Sequence, residues 1–136
     1  MALLVLLLTS PLAAARDGFV IVMNEATPGT QVNRTTVAAI FLKQAPAWSD
    51  GTPTHPVDQS TRNPIRQLFA ADVLGQPIVA VQIYWQRRMS SGVTPPPVKN
   101  SDEEVIQFVA STPGAIGYVS ETATLPASVK VIKLLD

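Results

Sequence analysis

Twelve prolines punctuate this chain of 136 residues, and they limit how far any helix or central strand can run. The stretch "SSGVTPPPVKN" (residues 90–100) can be neither a helix nor a central strand and reads as a surface loop. Pro46 and "WSDGTP" form a turn with its tight point at Asp50-Gly51, and Pro113-Gly114 ends a helix. Between these breaks the apolar residues switch repeatedly between the two regular periods. "GFVIVMN" (Gly18 to Asn24) is a β-branched run that reads as a buried strand. Asn33 then caps a helix that places Val37, Ile40 and Phe41 on one face. "THPV" is a short strand. A helix after Asn63 turns Ile65, Leu68, Phe69 and Val73 inward, and Gly75 serves as its C-terminal cap. Pro77 opens another helix, with Ile78, Val81, Trp85 and Met89 as a stripe and Gln82 and Gln86 opposite. The stripe and the proline favour helix there over the strand that "IVAVQI" alone would suggest. Ser101 to Glu104 ("SDEE") is a capping box, followed by inward Val105, Phe108, Val109 and Thr112. "AIGYVS" and "VKVIKLL" close the chain as strands. This alternation predicts a single α/β domain, a mixed β-sheet flanked by helices.

The first fifteen residues, "MALLVLLLTSPLAAA", are apolar and too short to span a bilayer comfortably. They end in an A-x-A pattern before Arg16-Asp17, which reads as a signal peptide (residues 1–15) cleaved after Ala15. The expectation is a domain over residues 16–136 that works in the periplasm or otherwise outside the cytoplasm.

Ten basic and ten acidic residues give zero net charge, with no basic run beyond Arg87-Arg88, so nucleic acid is not expected as a partner. Cysteine is absent, which excludes disulfides, thiolate metal sites and cysteine nucleophiles. His55 is the sole histidine and has no second metal ligand at a usable spacing. Asp58 lies three residues from it, but no serine sits in a nucleophile-elbow pattern, so no catalytic constellation forms. Neither a dinucleotide nor a P-loop fingerprint is present, and no cofactor is expected. Trp85 beside Tyr84 falls on the apolar stripe and reads as core. Asn33-Arg34-Thr35 also spells a glycosylation sequon, with capping as the preferred role of Asn33.

One stretch carries chemistry: "VDQSTRNPIRQLF", Val57 to Phe69. A helix start exposes unpaired N–H groups and a partial positive charge, so it attracts anions. Asn63 would be the cap and Pro64 the first helical residue. The candidate ligand set is the Asn63 side chain, the Arg66 guanidinium, the backbone N–H groups of Ile65 and Arg66, and the hydroxyls of Ser60 and Thr61. The competing reading has Asn63 cap its own helix while Arg66 pairs with Asp58 or with solvent.

Four phrases together resemble the phosphate-type ABC-transporter substrate-binding proteins of the periplasmic-binding-protein type 2 superfamily: "NRTTVAAIFLK" (Asn33 to Lys43), "WSDGTP" (Trp48 to Pro53), "VDQSTRNPIRQLF" and "FVASTPGAIGYV" (Phe108 to Val119). The resemblance implies a non-enzymatic binding protein and one lobe of a fold that closes two lobes on an anion. It also implies phosphate or another small anion as ligand. At the helix start the family carries Ser-Gly-Thr-Arg, where this chain has Asn63, Pro64, Ile65 and Arg66. Both hydroxyls and one N–H are lost, which predicts weak binding or none. The alternative function is an envelope interaction module that has lost its ligand and docks a membrane or envelope protein; two copies facing each other would also rebuild a cleft.

Overall fold

The computed structural model describes residues 18–136. The signal peptide expected over residues 1–15 lies outside the described residues. The chain runs β1 (Phe19–Asn24), β2 (Gln31–Asn33), α1 (Arg34–Phe41), β3 (His55–Pro56), β4 (Asp58–Gln59), α2 (Pro64–Phe69), a π-helical turn (Ala70–Leu74) and α3 (Ile78–Ser90). It continues through β5 (Val98–Lys99), α4 (Asp102–Ser111), β6 (Ala115–Ser120) and β7 (Val129–Leu135). Five strands form one mixed sheet in the order β2-β7-β1-β6-β3, as the α/β reading anticipated. β1 is antiparallel to both neighbours, with Ile21 opposite Tyr118 on one side and Ile132 on the other. β3 runs parallel to β6 and β2 parallel to β7.

Because side chains alternate along a strand, the sheet presents two apolar faces. Ile21 and Met23 of β1, with Ile116 and Tyr118 of β6, pack against Val37, Ile40 and Phe41 of α1 and Ile65 and Phe69 of α2. Val22 and Val119 face the other way, onto Val105 and Val109 of α4. Gly117 makes that second contact close: a Cβ there would come within 2.8 Å of Val105 and 2.9 Å of Val57. The absent side chain thus seats the start of α4 beside the end of β6. Val81 and Trp85 of α3 pack on Leu42 and Ala70, which confirms Trp85 as a core residue.

The structure departs from the sequence reading at identifiable points. Leu68 and Met89, expected inward, are 45% and 50% exposed. At the helical period Leu68 falls well round from the face that carries Ile65, Phe69 and Val73, so it lies at the edge of the buried stripe. Arg34 at the start of α1 reaches Asp72 at 2.6 Å and Asp136 at 3.2 Å, tying the π-helical turn to the last strand. Asn33 occupies the cap position of α1, yet its side chain makes no capping hydrogen bond. β2 and β5 are three and two residues long, too short to show a period in the sequence.

Candidate ligand crevice

The carboxyl ends of the parallel strands converge on one edge of the domain. Val57 still pairs with the main sheet, its N–H donating to the Ile116 carbonyl at 2.9 Å. One residue later the chain enters β4, which pairs in parallel with β5. Each of β4, β5 and β6 therefore ends near the same place, and α2 and α4 begin there. Open α/β sheets place their ligands in such a crevice, outside the strand ends. Asn63, Pro64 and Ile65 of the α2 start, Asp102 of the α4 start and Ser120 at the end of β6 line a depression of about 160 Å³. Ser60, Arg62, Asn63 and Asn100 line a second, adjoining one.

Asn63 caps α2 as the sequence indicates: its Oδ1 accepts from the Ile65 N–H at 3.2 Å. Its carbonyl accepts from the Arg66 N–H at 3.0 Å. The two backbone donors assigned to an anion are therefore already engaged. The Asn63 amide is engaged too, its Nδ2 donating to Gln59 Oε1 at 2.6 Å. Ser60 Oγ accepts from the Arg62 N–H at 3.3 Å, closing the turn, and Thr61 is exposed.

Arg66 is the largest correction. As a ligand group its guanidinium would have to reach the crevice, whereas its side chain is 92% buried and ion-paired with Asp58, whose side chain is equally buried. Of the alternatives left open for Arg66, the structure takes the pairing with Asp58. Asp58 also accepts from the Tyr118 hydroxyl and, at 2.9 Å, from the Gln59 N–H. Tyr118 in turn stacks on Phe69, with ring centroids 4.0 Å apart and planes within 7°. Burial pushes the Tyr118 phenol up to about 12, while the Arg66 guanidinium pulls it the other way. The guanidinium is thus neutralised beneath the crevice floor. Its Nε is buried and has no hydrogen-bond partner among the described residues.

Asp102 is the residue that sequence reasoning missed. Read there only as part of a capping box, it sends its carboxylate across the crevice. Its Oδ1 accepts from Gln59 Nε2 at 2.9 Å, and both oxygens accept from the Ser120 N–H at 3.3 Å. Gln59 Nε2 also donates to the Tyr118 carbonyl at 2.9 Å, so one buried amide links α2, β6 and α4. The signal available in sequence was the second helix start ending in "SDEE", which had to fold beside the first. His55 lies on the edge strand β3 and is exposed, remote in role from this network. Among the described residues no group of three His, Asp or Glu side chains could hold a metal ion, and no single helix is long and apolar enough to cross a membrane.

Residues 10–132 match the family described as the PBP superfamily domain. No curated protein matches the sequence. Among solved structures, an ABC-type phosphate transport receptor from Vibrio cholerae superposes with a TM-score of 0.67 at 23% identity, covering 87% of this chain and 46% of that one. A putative phosphate ABC-transporter substrate-binding protein with bound phosphate, from Clostridium perfringens, gives 0.67 at 16% identity over 87% and 45%. PstS from Borrelia burgdorferi gives 0.66 at 12% identity over 85% and 46%. This chain spans less than half the length of each of these structures. At such identities the likeness establishes the fold, an α/β lobe, and leaves function to the site itself.

Proposed function

The chain belongs to the PBP superfamily domain family, a family of binding proteins not known as enzymes, and on that premise we propose that it is an extracytoplasmic solute-binding-like protein. Its ligand would be phosphate or a related small oxyanion, held in the crevice between the α2 and α4 starts no tighter than millimolar, on the order of 4 kcal/mol. The observation that supports this is the convergence of two helix starts and three strand ends on Asn63, Asp102 and Ser120. Arg66 is buried and paired with Asp58, so the ligand would be held by the groups that line the depression. Weakness follows from the same geometry. The Ile65 and Arg66 N–H groups are capped, the Arg66 charge is matched by Asp58, and Asp102 lines the depression. A fully ionised anion would meet that carboxylate as a like charge, whereas a protonated phosphate can donate to it. Export with cleavage after Ala15 is part of this proposal, resting on the leader pattern of the first fifteen residues.

A second reading keeps the fold and drops the solute: the crevice edge docks an envelope protein. The saturated hydrogen bonding of Asn63 and the ion pair of Arg66 favour it. Isothermal titration with phosphate, sulfate and small carboxylates separates the two. A saturable phosphate isotherm in the millimolar range, weaker for sulfate, supports solute binding. No heat for any anion up to tens of millimolar leaves the interaction module.

A further inference from the structure

A cavity of about 430 Å³ opens between β2 and the loop that follows α1, and it shares no lining residue with the crevice. Its size falls within the roughly 300–1,000 Å³ of small-molecule sites. The floor reaches the core at Met23 and Ile40, which are 2% and 1% exposed. Trp48 stands in the wall, and its Nε1 donates to the Gly114 carbonyl at 2.9 Å. With that N–H engaged, the indole offers the cavity carbon surface. The rim is polar, made by the exposed side chains of Gln31, Asn33, Thr36 and Ser49. Asn33 makes no capping hydrogen bond to α1, so its amide is not spent on the helix. Among the described residues, none that lines the cavity is charged.

The loop is held off β2 by bonds of its own. Lys43 turns the chain directly after α1 with a φ of 59°. The Ala45 carbonyl then accepts from Thr54 Oγ1 at 2.7 Å, and the Trp48 N–H donates to the Thr52 carbonyl at 2.8 Å. The walls are therefore ordered before any ligand arrives, which spares binding that cost.

We propose that this cavity binds a small uncharged polyol with one apolar face, the chemistry of a pyranose ring. The indole wall and the aliphatic floor suit the C–H face of such a ring. Amide and hydroxyl side chains both donate and accept, as ring hydroxyls do. A phosphate or an ammonium would lose its water there without meeting an opposite charge. The inference does not depend on anion binding in the crevice.

The test is an amide NMR titration of the full chain with the methyl pyranosides of glucose, galactose and mannose, and separately with inorganic phosphate. Saturable shifts at millimolar concentration are expected with at least one pyranoside. They should fall on residues 31–36 and 45–49 and on the Trp48 Nε1–H, while residues 60–66 stay still. Ala47→Phe, at an exposed position of the cavity wall, fills the space and should abolish them. Thr36→Val removes one exposed hydroxyl at constant shape and should weaken binding about fivefold. The proposal is overturned if none of the three sugars saturates up to about 100 mM. Shifts that map to residues 60–66, or that persist unchanged in both variants, overturn it too. So does saturation by phosphate at residues 31–49, which would make the ligand an anion.

Discussion

Two helices start in the same crevice, and they settle their unpaired N–H groups in different ways. α4 is self-sufficient. Ser101 Oγ accepts from the Glu104 N–H at 3.2 Å, the Glu104 carboxylate accepts from the Asn100 N–H at 2.8 Å, and three acids fill the first turn. α2 has no acid in its first turn and a proline at its first position. Its free N–H groups are taken up by Asn63, whose Oδ1 and carbonyl accept from Ile65 and Arg66. Beneath it, the one cation of the first turn is matched by Asp58. A helix start becomes an anion site when its donors and charge are left over. Here the Asn63 cap and the buried ion pair have taken up most of both, and that is why the account predicts weak binding where the family resemblance alone implies a phosphate site.

The sharpest way to break this comparison is at the ion pair. Arg66→Ala leaves Asp58 buried without its cation, and the expected loss is about 3–5 kcal/mol in a denaturant titration. A loss below about 1 kcal/mol would show that Arg66 is effectively solvated. The Tyr118 hydroxyl beside that pair gives a second lever. Its folded pKa lies near 12 and the ordinary tyrosine value near 10. The stability it supports is therefore complete below pH 10 and falls as pH rises from 10 to 12, by about 2–3 kcal/mol. Tyr118→Phe should flatten that alkaline slope, and an unchanged slope would remove Tyr118 from the account.

Smaller effects separate the two caps. Asn63→Ala costs α2 its only side-chain cap and frees the Ile65 N–H, for an expected loss of about 1–2 kcal/mol. Ser101→Ala should cost less, about 0.5–1 kcal/mol, because three first-turn acids still oppose the α4 dipole. Thermal or chemical melts of the two variants side by side test the ranking, and a larger loss at Ser101 would invert the comparison.

The sequence carries the parts of this fold that have a long period or a strong stop signal. β1, α1, α4, β6 and β7 are visible because several apolar residues repeat before a proline or glycine intervenes. What it hides is short or tertiary. β2 and β5 have three and two residues, and they are strands only because β7 and β4 lie beside them. The π-helical turn leaves no mark in composition. At the crevice, Asn63 as cap is local and could be read directly. The burial of Arg66 is not local: it depends on Tyr118, sixty residues from Asp58 in sequence, sharing the same carboxylate. Asp102 was legible as a capping-box residue, and its role opposite α2 exists only once Gly117 lets α4 pack onto the sheet.

The central claim is that the Arg66 guanidinium belongs to Asp58 and is not free for a ligand. Phosphate titration followed by NMR, observing the Arg66 Nε–H together with the amides of residues 60–66, tests it most directly. The account predicts an Arg66 Nε–H signal that moves only at millimolar phosphate or stays still, in step with small shifts at Asn63 and Ile65. Saturation of that signal at micromolar phosphate would show that Arg66 leaves Asp58 to grip the anion, and would contradict the account.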